Sequence, residues 1–101
     1  MELYQAEWCP GSHRVRQRLT ELGCDVTLRQ VPVDPDERSE LRRVSGAAEI
    51  PVLVADDGWP FCGADQIMEY LDRYPERHDA DAHRERAREE VPEFVELRPA
   101  A

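Results

Sequence analysis

A cysteine followed by proline, where a strand pattern gives way to a helix pattern, constrains this chain more than any other feature. Leu3-Tyr4-Gln5-Ala6 is a short apolar run. Trp8-Cys9-Pro10-Gly11-Ser12 follows, and then Val15, Leu19 and Leu22 recur at spacings of four and three, the repeat of one helix face. Proline is tolerated in a first helical turn, where its missing N–H would have had no partner. Cys9 then falls at the cap, beside unpaired backbone N–H groups and the positive end of the helix dipole. That setting favours thiolate over thiol, and the thiolate is the nucleophile. The plain alternative is a small apolar residue at a turn.

The rest of the chain alternates in the same way. The first helix covers residues 11 to 22 and stops at Gly23. Val26 to Val31 alternates apolar and polar residues, the pattern of a strand with one face covered. Pro32 and Pro35 bracket a turn, and Asp34 and Asp36 supply acidic caps to a second helix carrying Leu41 and Val44 inward. Gly46 closes it. Val52-Leu53-Val54-Ala55 reads as a central strand. Asp56-Asp57-Gly58 is a hairpin turn, and Trp59-Pro60-Phe61 returns as an edge strand, as the proline requires. Gly63-Ala64-Asp65 opens a third helix with a stripe of Ile67, Tyr70, Leu71 and Tyr74. The order β-α-β-α-β-β-α predicts an α/β fold, a mixed four-stranded sheet with helices on both faces.

Length and charge narrow the function classes. The 101 residues make one domain. There is no apolar run of membrane-spanning length and no basic-then-apolar leader, which predicts a cytoplasmic protein with reduced thiols. Cys9, Cys24 and Cys62 are an odd number without zinc-knuckle spacing, so neither a disulfide scaffold nor a metal site is expected. A net charge of −9 argues against nucleic acid and anionic membranes. Every cation is an arginine. A high-salt cytoplasm or GC-rich coding both account for that, and neither bears on the chemistry.

Three separated motifs carry a resemblance. Cys9-Pro10-Gly11-Ser12 is similar to the C-P-x-C/S site of glutaredoxins. Glu49-Ile50-Pro51-Val52-Leu53-Val54 resembles the loop whose proline is cis before the third strand. Cys62-Gly63-Ala64-Asp65-Gln66-Ile67, leading into Glu69-Tyr70-Leu71, resembles the G-G-x-D-D segment of glutaredoxins and the E-S-x-A-I-x-x-Y-L segment of transferases. Residues 1–75 thus resemble a thioredoxin-fold domain of the glutaredoxin type, and equally the N-terminal, thiol-binding domain of glutathione transferases. Residues 76–101 form a short charged extension, helical or partly disordered.

The resemblance implies a role for each motif. Cys9 is the nucleophile, and Ser12 supports the thiolate with a hydrogen bond. Pro10, at the helix start, counts among the thiol-binding residues. Ile50 and Pro51 offer backbone groups to the cysteinyl part of a bound thiol. Gly63, Ala64 and Asp65 hold the γ-glutamyl end, backbone N–H groups taking its carboxylate and the Asp65 side chain its ammonium; Asp65 as a plain helix cap is the alternative. Serine in place of a second cysteine closes the intramolecular route and leaves a monothiol cycle. Cys62, on the same rim, is a possible second thiol. Cys24, beyond a helix rising about 1.5 Å per residue, lies roughly 20 Å from Cys9 and reads as buried filler.

Departures from the family pattern shape the ligand expectation. Gln5-Ala6-Glu7-Trp8 lacks the lysine that takes the glycyl carboxylate of glutathione, and Gly11 replaces an aromatic residue. The expected thiol is therefore glutathione or a relative such as γ-glutamylcysteine. His13, Arg14, Arg16 and Arg18 read as a solvated helix face. Arg77 to Glu90 reads as a solvated helix held by i,i+4 pairs, with Val91, Phe94, Val95 and Leu97 as docking residues. His78 and His83 fit no shared helix face for a metal. Two functions remain open: an oxidoreductase acting on mixed disulfides of proteins with a small thiol, and a binding module without turnover. A minimal transferase-like domain is a third, weaker option. The oligomeric state is left open.

Overall fold

Buried side chains alternate along the first strand, and that alternation organises the fold. The structure, a computed structural model, describes residues 1–89. Its elements are β1 (Glu2–Gln5), α1 (Pro10–Leu22), β2 (Thr27–Gln30), a 3-10 turn (Pro35–Glu37), α2 (Ser39–Ser45), β3 (Val52–Val54), β4 (Pro60–Cys62), α3 (Ala64–Leu71) and α4 (Ala80–Arg88). Successive side chains on a strand point to opposite sheet faces. Leu3 joins Leu53 and the α1 and α3 residues Val15, Leu19, Leu22, Ile67 and Leu71 in one core. Tyr4 joins Val52 and Leu41 of α2 in the other. The sheet is thus covered on both faces, as a thioredoxin-like fold requires. Its order is β2-β1-β3-β4, with β1–β2 parallel and the other two pairs antiparallel.

The outer strands differ from each other. β2 is exposed along its whole length, so the expectation of one covered face is corrected. It lies outermost, beyond the reach of the helices; only the flanking Val26 and Val31 pack, one against each core. At the other edge Pro60 opens β4, and the N–H of Cys62 donates to Oε1 of Gln66 at 3.0 Å.

The second helix also differs from its sequence reading. Asp34 caps the separate 3-10 turn, accepting from the N–H of Asp36 at 2.9 Å. α2 starts afresh after Arg38, with no side-chain cap. Arg38 breaks the helix because its guanidinium turns inward. It is 6% exposed and donates to the carbonyls of Pro32 (2.8 Å), Val33 (3.0 Å) and Ala48 (2.8 Å). One side chain thereby ties the segment after β2 to the segment before β3.

α4 is nine residues long, too short to be stable alone in water. Among the described residues, the i,i+4 ladder expected from sequence contributes only His83–Asp79. What holds the helix is a cluster of four charged side chains from distant parts of the chain. Arg84 and Arg18 each bridge Glu21 (2.9 Å) and Glu76 (2.9 and 2.8 Å). Glu21 is buried. Its desolvation opposes ionisation but is outweighed by Arg18, Gln17 and Arg84, which leave its pKa lowered. Glu76 is held down to about 2 by hydrogen bonds from Arg84 and Arg18. Both native pKa values lie below the unfolded value of about 4.3, so the cluster stabilises docking fully above that pH. Its contribution fades as pH falls toward 2. NMR signals of Ala80 and His83 are expected to leave their docked positions between pH 4.5 and 2, and Glu76→Gln is expected to weaken docking already at pH 7. Docked signals unchanged at pH 2.5 would refute this. Val91, Phe94, Val95 and Leu97 lie outside the described residues.

Candidate functional site

The turn between β1 and α1 is fixed by local bonds. The N–H of Cys9 donates to the carbonyl of Ala6 at 3.1 Å, and the carbonyl of Cys9 accepts from His13 at 3.0 Å. Cys9 is the N-cap of α1, with Pro10 in the first turn, and its Sγ accepts from the N–H of Ser12 at 3.4 Å. Sulfur thus takes the place of the usual capping oxygen. Cys9 is half-buried, and that desolvation works against its thiolate. Hydrogen bonds from the Ser12 side chain and from the Ser12 and Gly11 amides outweigh it, with Arg16 adding positive charge; the pKa is lowered. Ser12 is fully buried, and its Oγ accepts from the N–H of Ala6 at 3.3 Å, which leaves its own hydrogen to donate. Cys24 shows the opposite: burial and neighbouring Asp25 push its thiol up.

The segments named from sequence converge on this turn. The Ile50–Pro51 bond is cis, and Ile50 packs against the core beneath β3 and α2. A methyl group on Gly11 would lie 3.0 Å from Cδ of Pro51 and 3.5 Å from Cβ of Ala64. The Cys9 turn, Pro51 and the start of α3 are therefore in direct contact, and Gly11 is crowded by Pro51 where the glutaredoxin pattern has an aromatic residue. Gly63 caps α3 at φ 87°, where side chains are disfavoured. Its N–H is engaged by the carbonyl of Pro51 at 2.9 Å. The first-turn amides of Ala64 and Asp65 have no intrahelical partner, as at any helix start.

Two arginines read as surface charge, Arg14 and Arg16, have partners here, and so does Arg38. Arg14 pairs with Asp65 at 2.6 Å, joining α1 to α3 across the site. One carboxylate oxygen of Asp65 thus has a protein partner, and the other has none among the described residues. Arg16 donates to Oε1 of the buried Gln5 and pairs with Glu7 at 3.3 Å, so a cation does stand near the sulfur, though not where a lysine was sought. Arg38 anchors the Ala48 end of the loop that leads to Pro51. Sequence periodicity gave no signal for any of these contacts. Cys62 is exposed at the end of β4, opposite Val52. Among the described residues, no three His, Cys, Asp or Glu side chains are grouped to hold a metal, and no helix is long and apolar enough to cross a membrane.

The comparisons agree with this geometry. No curated protein matches the chain. Solved structures do. A glutathione S-transferase domain-containing protein from Marinobacter aquaeolei VT8 is 32% identical with a TM-score of 0.64, over 74% of this chain and 39% of that one. A glutathione S-transferase from Sinorhizobium meliloti 1021 is 34% identical with a TM-score of 0.63, over 71% and 31%. Another from Anopheles dirus species B is 27% identical with a TM-score of 0.67, over 78% and 38%. This chain therefore matches less than two-fifths of the length of each of these three. The family described as "Glutathione S-transferase, N-terminal domain" matches residues 3–90. A thioredoxin-like sheet, a cysteine at the cap of α1 and a cis-proline beside it lie within that match, and the chain belongs to the glutathione S-transferase N-terminal domain family.

Proposed function

We propose that the domain is a monothiol, glutaredoxin-like thiol–disulfide oxidoreductase working in a reducing, cytoplasmic compartment. Its partners are a small γ-glutamyl thiol and proteins carrying that thiol as a mixed disulfide. The observation that carries this reading is the sulfur of Cys9 at the cap of α1, with its pKa lowered. In the cycle, the Cys9 thiolate attacks the small-thiol sulfur of the mixed disulfide. A Cys9–S–S–R bond forms, the protein leaves as thiolate, and a second small thiol releases R–S–S–R. The buried Ser12 supports the thiolate and cannot compete as a resolving thiol. The amides of Ala64 and Asp65, the free oxygen of Asp65, and the backbone at Ile50 and Pro51 form the thiol-binding groups. Glutathione or γ-glutamylcysteine fits them.

A module that binds thiols without turnover would need no ionised sulfur. Iodoacetamide labelling of Cys9 against pH separates the two. The midpoint is expected below the free-thiol value of about 8.5, and Ser12→Ala is expected to move it up. A midpoint at the free-thiol value in both proteins would favour the module.

A further inference from the structure

Two large apolar side chains stand exposed at the Cys9 end of the sheet. Trp8 is 61% exposed and Val33 is 75% exposed. β1 and β2 run parallel with Gln5 opposite Gln30, and the N–H of Val31 donates to the carbonyl of Gln5 at 3.2 Å. The segments carrying Trp8 and Val33 therefore leave the sheet side by side. A single exposed apolar residue needs no explanation. These two stand on adjacent segments that form one lip, and the first segment runs directly into Cys9. Val33 is also held in place, because the buried Arg38 bonds its carbonyl and that of Pro32. Such preorganisation favours binding.

The lip has a charge and a side. Glu7 precedes Trp8, and Asp34, Asp36 and Glu37 follow Val33; all four are exposed. Of the nearby cations, Arg38 is buried on carbonyls, Arg16 faces Glu7, and Arg42 stands 3.9 Å from Asp36. The γ-glutamyl-binding groups belong to the start of α3, and Ile50 and Pro51 lie just before β3; the sheet order places β2 on the opposite side of β1. The β2 side is thus left for the other half of a mixed disulfide.

We propose that this lip binds the polypeptide flanking the substrate disulfide, and that the favoured flank is apolar and basic. The inference rests on the oxidoreductase reading. In the exchange the Cys9–S–S–thiol bond forms, the substrate disulfide breaks, and the departing peptide thiolate takes a proton from solvent. The lip holds that departing peptide.

Three mixed disulfides of γ-glutamylcysteine test this, with γ-glutamylcysteine as the reducing thiol. One carries a peptide with arginine and leucine beside its cysteine, one a peptide with glutamate and serine, and one 2-mercaptoethanol. At low salt the kcat/KM for the basic peptide is expected to exceed that for the acidic one about tenfold, and the gap to shrink at 0.5 M salt. Val33→Ser is expected to lower the rate on the basic peptide severalfold and leave the 2-mercaptoethanol disulfide unchanged. Equal rates on both peptides, or a preference that Val33→Ser does not touch, would overturn the lip while leaving Cys9 chemistry intact. No turnover of any of the three, nor of their glutathione counterparts with glutathione as the reducing thiol, would remove the oxidoreductase reading and the lip with it.

Discussion

A Cys9→Ser variant is expected to lose mixed-disulfide turnover by roughly 10³-fold or more. A hydroxyl is not ionised at neutral pH and cannot form the Cys9–S–S–R intermediate. The loss is not expected to come from unfolding. Serine is among the best helix caps, and its oxygen can take over the N–H of Ser12 that Sγ now accepts. Circular dichroism should therefore superimpose on the parent protein. Cys24→Ser serves as the control, since that thiol lies at the far end of α1 and is pushed away from ionisation. A Cys9→Ser protein that retained more than about a tenth of the activity would end the nucleophile assignment.

The largest expected stability effect comes from Arg38→Ala. Removing the guanidinium strips three backbone carbonyls of their partner, two of them in the segment after β2 and one in the segment before β3. Hydrogen bonds to charged groups contribute about 1.5–3 kcal/mol each, and they are not additive, so a loss of roughly 3 kcal/mol is expected. For a domain of this size that lowers Tm by about 15 °C. Arg38→Lys should recover only part of it, because an ammonium on a flexible stem cannot reproduce a planar fork with three separate targets. Urea unfolding of both variants measures the effect. A midpoint within error of the parent for Arg38→Ala would mean that these bonds do not hold the loops together.

What the sequence revealed, and what it hid, follow from distance along the chain. Cys9 at a helix cap was legible because strand, cysteine, proline and helix lie within about one helical turn of each other. The motif around Ile50 and Pro51 was legible from the resemblance, and the structure places it against Gly11. The arginines were not legible. Arg14 meets Asp65 51 positions away, and Arg84 meets Glu21 63 positions away. A long charged side chain on a helix has the same pattern whether it faces water or a distant carboxylate. Arg38 was hidden differently: its targets are backbone carbonyls, which every residue has. Alternation marked β2 as a strand but could not say that it lies outermost. Asp34 was correctly read as a cap, yet the turn it caps is separated from α2 by the inward turn of Arg38.

The contrast between the outer strands limits how this sheet can grow. Pairing in β4 directs the N–H groups of Phe61 and Gly63 and the carbonyl of Trp59 toward β3, while the N–H of Trp59 donates to Oδ1 of Asp57. Its solvent side is left with Pro60, which has no donor, and Cys62, whose donor Gln66 already occupies. An incoming chain would find no free N–H donor on this edge to zip onto. Among the described residues, the border along Thr27–Gln30 carries no such seal, so a fifth strand has a place to attach there. That place adjoins the segment bearing Val33, far from the γ-glutamyl groups, where lengthening the sheet would not obstruct the sulfur.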